Sequence, residues 1–450
     1  MLHFVPDSPW SIIALVLCFV LVCVFEFANG FHDTANAVAS VIYTNSLKPR
    51  TAVIWSGLMN LLGVLLGGIA VAYTLVELLP ADVMSPPNGA PAIPMLVALF
   101  GTALIWNITT WWLGIPNSSS HCVIGALIGI AVGDAFVHAR ALGPSVEWGQ
   151  IFKVLKTLAI SPAVGFIGAF ILYLIVRSLV RKPEFYVPPT PEAKPNPVVK
   201  ALLVATCTLV SFSHGSNDGQ KSIGLIMLTI IGIMPAAFAL NPNAPIHYEQ
   251  LHQEAQAARP LIASYGNHSF RQEQLAALDR LSTVENGSEA PALIRGDIYE
   301  ALSGLRSVAA NPAAAPTETK HAKALAAQFR PTVEYAPIWV RVLSALCLGL
   351  GTMIGYRRIV QTLGEGIGKK HLTPAQGAVS EVFGAGLIMS AGYTGLAVST
   401  THIITSGVAG TMVASGSGIN PKMLLKIALA WVVTLPVTIA LAAFLFYIFV

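Results

Sequence analysis

Two short polar strings interrupt the long apolar stretches of this 450-residue chain, and each string occurs twice. The acidic strings, residues 29–36 and 214–221, place Asp33 and Asp218 at equivalent positions. An ionised Asp at the centre of a bilayer costs about 2.5–3.5 kcal/mol on insertion scales, so each carboxylate should face a partner, a cavity or an ion. Nearby amides add neutral oxygens, which suit a hard cation such as sodium, and a carboxylate could equally carry a proton. The alternative is that each Asp only caps a helix N-terminus. The amides concerned are Asn29, Asn36 and Asn217.

The hydroxyl strings, residues 114–121 and 395–402, place hydroxyl side chains directly before an apolar run that contains glycine. A helix that begins there offers unpaired backbone N–H groups, O–H donors and the positive end of the helix dipole, which together suit an anion. The alternative is an ordinary N-cap that serves its own helix. His121 and His402 end the strings, and they either bond the hydroxyls, buffer a proton or fill the core. The candidate anion ligands are Ser118, Ser119, Ser120, Ser399, Thr400 and Thr401.

Charge suggests how the two kinds of string work together. Between residues 1 and 139 the only basic residues are Lys48 and Arg50, so a divalent anion in the first-half site meets no fixed cation there. An unpaired buried charge is costly, so we expect cations held at Asp33 and Asp218 to neutralise both the carboxylates and the anion. Such mutual dependence couples the two ligands, and the coupling is reciprocal. Lys221 is the exception, because it either touches the anion or extends to the membrane interface.

Two further side chains remain as accessory candidates. Gln220 lies inside the second acidic string, next to Lys221. Glu381 stands early in a second-half helix, where it is either a proton carrier or a charge at a helix end.

Composition indicates a membrane protein without a nucleic-acid partner. Hydrophobic residues make up 54% of the chain and charged residues 11%, whereas soluble domains carry about 25% charged residues. The net charge of +4 is small for this length. Five cysteines in apolar surroundings predict neither a disulfide framework nor a zinc site. The apolar run at 11–28 follows no basic residue and leads directly into an acidic string, so we expect a first membrane helix that lipid surrounds, not a cleaved signal.

The order of the strings predicts a duplicated all-α membrane protein. Acidic and hydroxyl strings alternate along the chain, and repeated halves with polar breaks in apolar segments are typical of secondary transporters. Several apolar runs beside the strings are shorter than a full span, which predicts broken helices or re-entrant hairpins among about ten to twelve helical elements. We expect a first membrane repeat at 1–180, a Pro-rich basic cytoplasmic linker at 181–200, and a second repeat at 201–240 and 336–450. A polar helical insert at 241–335 separates the parts of the second repeat, and a second basic loop at 357–370 would place it outside.

These strings strongly resemble the inorganic phosphate transporter (PiT) family, and most of all its bacterial low-affinity phosphate permeases. The resemblance covers nearly the whole membrane part, including the segments 352–355 and 367–370, and leaves only the insert outside specific motifs. It implies inverted-topology repeats, a transport domain that moves against a scaffold, a homodimer, and a multi-pass position in the bacterial cytoplasmic (inner) membrane.

The same resemblance implies import of inorganic phosphate by symport with protons, with sodium as the second choice. Bacterial members of this kind also carry neutral metal–phosphate complexes, so the ions are cargo and no resident cofactor is implied. A glutamate of animal relatives is replaced here by Asn60, as in the proton-coupled bacterial branch. The resemblance assigns the phosphate hairpins to the hydroxyl strings, and it assigns cation coupling to Asp33, Asn36, Asn217 and Asp218.

Two other functions stay open from the residues alone. A relative on the same scaffold could carry sulfate or another oxyanion, since O–H and N–H donors recognise either ion and only acceptors favour protonated phosphate. An intramembrane metalloenzyme is the remote alternative, although no H-E-x-x-H motif occurs and its ligands would be divided between duplicated halves. Its ligands would be His32, Asp33, His121, Asp218 and His402.

Overall fold

A computed structural model describes most of the chain, and the described part is helical with no β-strand in it. It covers residues 9–76, 78–79, 92–115, 117–139, 142, 148–190, 195–234, 238–244, 247–268, 270–285, 290–354, 360, 367–369 and 371–450. Pro116, Gly355, Lys370 and most of the loop 357–370 lie outside it, as do 191–194 of the linker. Within these ranges the structure has fifteen α-helices: α1 Pro9–Tyr43, α2 Pro49–Leu66, α3 Ala70–Val76, α4 Ile93–Trp112, α5 Ser119–Val137, α6 Trp148–Leu179, α7 Pro197–Ile233, α8 Tyr248–Tyr265, α9 Arg271–Leu281, α10 Pro291–Ala310, α11 Pro316–Val333, α12 Ile338–Thr352, α13 Pro374–Thr394, α14 Thr400–Ser415 and α15 Pro421–Phe449.

Seven of these helices are long and apolar enough to cross a bilayer: α1, α2, α4, α5, α6, α7 and α15. An eighth span results if α11 and α12, which meet at 84°, are counted as one broken span. Large apolar side chains such as Ile13, Val20 and Ile167 are exposed on the outer helix faces, whereas Asp218 and Asn217 are fully buried. A protein with an apolar outside and a polar interior is suited to lipid, so the chain is a multi-pass integral membrane protein. The all-α prediction is confirmed.

The helices break at the hydroxyl strings but not at the acidic ones. The acidic strings lie within the continuous helices α1 and α7, so Asp33 and Asp218 are not N-caps and the expected break there is wrong. A helix can continue through these residues because its backbone groups stay paired and the polar side chains find partners on other helices. At the hydroxyl strings the breaks occur as predicted, because Gly395 ends α13 at φ 70° and α14 begins at Thr400. Likewise, Gly114 at φ 64° lies between α4 and α5.

Helices of each half of the chain pack against helices of the other half, an arrangement that we call helix exchange. Helix α5 packs on α15, and its counterpart α14 packs on α6, so each hydroxyl helix lies against the last long helix of the other half. In the same manner α2 packs on α7 while α12 packs on α1. Because of this exchange, neither half surrounds its own polar strings.

Helices α1 and α7 lie side by side and run in opposite directions. Asp33 of α1 meets His214 of α7 near their crossing. Further along α1, Ser40 bonds Glu381, which also receives the hydroxyl of Thr206, two turns before His214. We call this contact between α1 and α7 the central seam.

Glycines permit the close approach of the exchanged helices. A Cβ on Gly30 would lie 2.8 Å from the backbone nitrogen of Thr352 in α12, and one on Gly215 would lie 2.7 Å from the Cα of Asn60 in α2. Real Cβ atoms do not reach such distances, so glycine at these equivalent positions sets how deeply α2 and α12 pack against the motif helices.

Helices α8–α11 form the insert. They bury their own apolar core, which includes Ile262, Leu302 and Phe329. At its base the Tyr73 hydroxyl donates to the carbonyl oxygen of Tyr335 over 2.5 Å and accepts from the Tyr335 amide at 2.7 Å. The insert is therefore connected to α3 by a buried hydrogen-bond pair.

Candidate ion and anion site

All four polar strings meet at the middle of the central seam. Asp33 and Asp218, which come from different halves, both face one imidazole: His214 Nε2 lies 3.5 Å from Asp33 Oδ2 and 3.3 Å from Asp218 Oδ2. One ligand atom from each of these three residues can be chosen so that all lie within 4.8 Å of one another. All three side chains are buried. A small cation carried as cargo fits the chemistry of this group, since carboxylate oxygens and an imidazole nitrogen are common ligands.

Each acidic string bonds the hydroxyl string of the other half. The Thr401 hydroxyl donates to Asp33, and Asn36 Nδ2 donates to Asp33 Oδ1 and to Thr401 Oγ1, both at 3.1 Å. The same arrangement recurs in the other copy, where Lys221 Nζ donates to Asp218 Oδ1 at 2.7 Å and to Ser120 Oγ at 2.6 Å. The equivalent residues Asn36 and Lys221 thus each link an aspartate of their own helix to a hydroxyl of the opposite half.

Lys221 changes the charge balance expected from the sequence. Only 4% of its surface is exposed, and its ammonium also donates to the Val398 carbonyl oxygen at 3.0 Å, so it does not extend to the membrane interface. It supplies the first-half hydroxyl string with a fixed cation, and the expectation that this site has none is wrong. The expectation failed because it counted charges within one half, whereas the site combines residues of both halves.

The hydroxyl residues of these strings have three different roles. Ser118 and Ser399 are N-caps, accepting the backbone N–H groups of His121 and His402 at 3.2 Å each. For these two residues the structural alternative is correct.

The other four hydroxyl residues of the strings are buried and do not cap their helices. Ser120 and Thr401 bond the acidic strings, as described above. Ser119 and Thr400 are buried, and among the described residues their hydroxyls have no hydrogen-bond partner. These two side chains therefore remain available to donate to an anion.

The two string histidines lie next to each other. Their rings are 4.4 Å apart, and His402 stacks on Trp431 of α15 at 3.8 Å between centroids. His121 Nδ1 lies 2.8 Å from Ser118 Oγ. The histidines thus bring the N-terminal ends of α5 and α14 together across the halves.

Neutral oxygens at the site remain without partners. Asn29 Oδ1 and both polar atoms of Asn217 are buried and make no hydrogen bond to any described residue. Asn29 precedes Asp33 by one helical turn, so its amide lies on the same helix face as that carboxylate, and Asn217 is the residue directly before Asp218. Leaving buried polar atoms unpaired costs about 1–3 kcal/mol for each group, which a bound cation would offset.

Two of the accessory candidates lie away from this centre. Gln220 accepts the Val71 N–H at 2.9 Å and donates to the Ser216 carbonyl oxygen at 2.9 Å, so it joins α3 to α7. Glu381 lies further along the central seam, where it accepts hydroxyls from Ser40 and Thr206. A cavity of about 20 Å³, the size of one water molecule, is lined by both Asn36 and Glu381.

Two residues that were not among the predicted ligands, His214 and Asn60, also belong to this site. His214 Nδ1 lies 2.8 Å from Asn60 Oδ1, and Asn60 Nδ2 donates to Thr352 Oγ1 at 3.2 Å, so these contacts join α7, α2 and α12. The available signal was the spacing of His214 and Asp218, which puts them one turn apart on a helix face. The comparison of the repeats hid that signal because the counterpart of His214 is Asn29.

The chain is similar to known proteins over almost its whole length. The model of the Phosphate transporter family matches residues 29–442. The low-affinity inorganic phosphate transporter PitB of Escherichia coli (strain K12) is 36% identical over 479 aligned residues, which cover 96% of each chain. The low-affinity inorganic phosphate transporter of Buchnera aphidicola subsp. Acyrthosiphon pisum is 37% identical, with 97% of this chain and 96% of that protein covered. A solved structure, "The sodium-dependent phosphate transporter", shares the fold with a TM-score of 0.56 at 17% identity and covers 97% of this chain and 98% of its own. This chain belongs to the phosphate transporter family.

Proposed function

We propose that this protein imports inorganic phosphate across the bacterial cytoplasmic membrane by symport with protons. The observation that carries the proposal is the position of Lys221, whose ammonium bonds Asp218 and Ser120 at once. The carboxylate and hydroxyl parts of the site are therefore one hydrogen-bonded unit, so an anion that takes the ammonium changes the environment of the carboxylate. Relatives at 36–37% identity are named as low-affinity inorganic phosphate transporters, which supports phosphate as the substrate.

Phosphate is favoured over sulfate by the acceptors beside the hydroxyl strings. Near neutral pH phosphate carries at least one O–H group, whereas sulfate carries none. Asp33 is an acceptor that directly contacts Thr401, and Asp218 is joined to Ser120 through Lys221, so a protonated oxyanion at the hydroxyls finds both donors and acceptors. Sulfate would leave such an acceptor facing a negative charge.

The proton is favoured over sodium as the coupling ion, although sodium remains the alternative. Asn60, where animal relatives have a glutamate, bonds His214 and so adds no carboxylate to the site. The unpartnered oxygens of Asn29 and Asn217 would suit sodium or the metal of a neutral metal–phosphate complex. In either case the cation is cargo. An enzyme function has no support, since the family is one of transporters.

The proposal is tested by uptake of radiolabelled phosphate into proteoliposomes that contain the purified protein. A pH gradient or a sodium gradient is imposed, each with and without excess sulfate. We expect uptake that the pH gradient drives alone and that sulfate does not inhibit. Uptake driven only by sodium would show that sodium, not the proton, is the coupling ion. Strong inhibition by sulfate would favour the alternative that the protein carries sulfate or another oxyanion.

A further inference from the structure

A buried carboxyl group outside all four strings, Glu26, lies on the central seam. It precedes Asp33 by seven residues, which is two helical turns or about 10.5 Å along the same face of α1. Only 1% of its surface is exposed, and neither carboxylate oxygen makes a hydrogen bond to a described residue. Glu381 lies along the seam on the other side of Asp33 from Glu26. It differs from Glu26 because its carboxylate accepts hydrogen bonds from two hydroxyl groups.

The groups that face Glu26 leave it without a cation of its own. The groups that act on Glu26 electrostatically are Ser222, Asp218 and Lys221 of α7 and Cys23 of α1. Cys347 of α12 also interacts electrostatically with Glu26. Helix α4, which packs on α1, contains no titratable residue.

The nearby donors are already used. Lys221 donates to Asp218, Ser120 and Val398, and the Ser222 hydroxyl donates to the Asp218 carbonyl oxygen at 3.2 Å. An ionised Glu26 would therefore be a buried charge with no cation paired directly to it among the described residues, whereas a protonated Glu26 costs far less.

The aspartates of the strings are in the opposite situation. Asp33 receives hydrogen bonds from Thr401 and Asn36, and Asp218 receives the ammonium of Lys221. His214 lies against both of them. With these partners the aspartates are suited to hold a cation or the ammonium, which leaves Glu26 as the candidate proton acceptor.

We propose that Glu26 binds the proton that is carried with phosphate. The assignment rests on the proposed proton symport and adds the proton site to it. In the conformation described here, a proton taken from water on the side of uptake is held as an O–H bond on the Glu26 carboxyl group, so the side chain is neutral inside the membrane. When the seam opens to water on the other side, that O–H bond breaks, the proton passes to water and the carboxylate is hydrated. Its position next to Asp218 and Lys221 connects proton release to the ammonium that contacts the phosphate site.

The test separates proton movement from phosphate binding. Wild type, Glu26→Gln and Glu26→Asp are reconstituted into proteoliposomes with a trapped pH-sensitive dye. Phosphate accumulation under a pH gradient, proton entry, and exchange of labelled for unlabelled phosphate at equal pH are measured. Since Gln resembles the protonated acid, we expect Glu26→Gln to keep at least half of the exchange while losing at least tenfold in accumulation and showing no coupled proton entry. Glu26→Asp should keep coupled proton entry with a shifted pH dependence.

The outcomes are distinct for the two proposals. A wild type without uptake driven by the pH gradient overturns proton symport, and the role of Glu26 with it. A coupled wild type together with a normally coupled Glu26→Gln overturns the role of Glu26 alone, as does decoupling by Glu381→Gln with Glu26→Gln unaffected. If Glu26→Gln cannot exchange phosphate, Glu26→Asp decides, because an unchanged pH dependence in that variant overturns the assignment.

Discussion

At the scale of single residues, the site depends on how one ammonium is shared. Lys221 bonds Asp218, Ser120 and the Val398 carbonyl oxygen, while the equivalent Asn36 makes the matching contacts without a charge. The two copies of the site therefore share the link from an aspartate to a hydroxyl of the opposite half but differ in charge. Because of this asymmetry, we expect the anion to bind on the side of Lys221.

This asymmetry can be removed by replacing Lys221 with asparagine, the residue at the equivalent position 36. Lys221→Asn keeps a donor amide beside Asp218 but removes the charge, and a charge-assisted hydrogen bond contributes about 1.5–3 kcal/mol. We expect phosphate affinity to fall about 10- to 100-fold, measured as the KM of uptake in proteoliposomes. Unchanged affinity would show that the ammonium does not contact the substrate. Lys200→Asn, at an exposed position of α7, is the control and should leave KM unaltered.

The hydroxyl strings allow a second test, because their members differ in role. Ser119 and Thr400 are without partners among the described residues, so replacing both by Ala removes two donors, each contributing about 1 kcal/mol to binding. We expect about a tenfold or greater loss of phosphate affinity and little loss of thermal stability.

Replacing Ser118 and Ser399 by Ala provides the matched control. These residues cap α5 and α14, so the loss should appear as stability, about 1 kcal/mol for each cap. Thermal unfolding in detergent and phosphate affinity are measured for both double variants. The same pattern in the two would contradict the division into caps and ligands.

At the scale of elements, the exchanged helix pairs depend on glycine. Gly30→Ala and Gly215→Ala each bring a methyl group into the backbone of α12 or α2, and overpacking of this kind costs about 1–3 kcal/mol or forces the helices apart. We expect lower thermal stability and strongly reduced uptake in both variants.

Gly386→Ala serves as the control, since no atom lies within 4 Å of a Cβ added at that helical position. It should behave as wild type in unfolding and uptake. Normal uptake by Gly30→Ala and Gly215→Ala would mean that the close contacts are not needed for transport.

Element breaks show what the sequence could and could not predict. The breaks before α5 and α14 were predictable, since Ser118 and Ser399 are good N-caps and glycine ends α13. The continuity of α1 through Asp33 was not, because a polar residue in an apolar helix is tolerated when a partner lies on another helix. Thr401, 368 residues away, is such a partner and no local pattern reveals it.

At the scale of the whole molecule, the duplicated strings were visible but their exchange was not. The repeat predicted Asp33 and Asp218 as equivalents, and it pointed to Ser120 and Thr401. It could not predict that Asp33 bonds Thr401 and that Lys221 reaches Ser120, because both contacts depend on how the halves pack. Because the helices pack across the halves, half of the chain alone would lack the contacts of Asp33 with Thr401 and of Lys221 with Ser120.

The opposite directions of α1 and α7 predict on which sides of the membrane the loops lie. Asn45, just after α1, donates to the Thr190 carbonyl oxygen of the linker, so the first loop and the linker lie at one end of the helices. The insert follows the opposite end of α7. Basic residues favour the cytoplasm, and the first loop and the linker contain Lys48 and Lys182. We therefore expect those two positions inside and the insert outside, as inverted-topology repeats require.

Labelling of single cysteines checks this arrangement. Lys48→Cys, Lys182→Cys and Thr317→Cys are all at exposed positions and are introduced into a chain whose five native cysteines have been replaced by serine or alanine. In intact cells a membrane-impermeant maleimide should label only position 317, and permeabilised cells should allow labelling of all three. Labelling of 48 together with 317 in intact cells would contradict the inverted arrangement, because antiparallel α1 and α7 that each cross the bilayer once must leave their following loops on opposite sides.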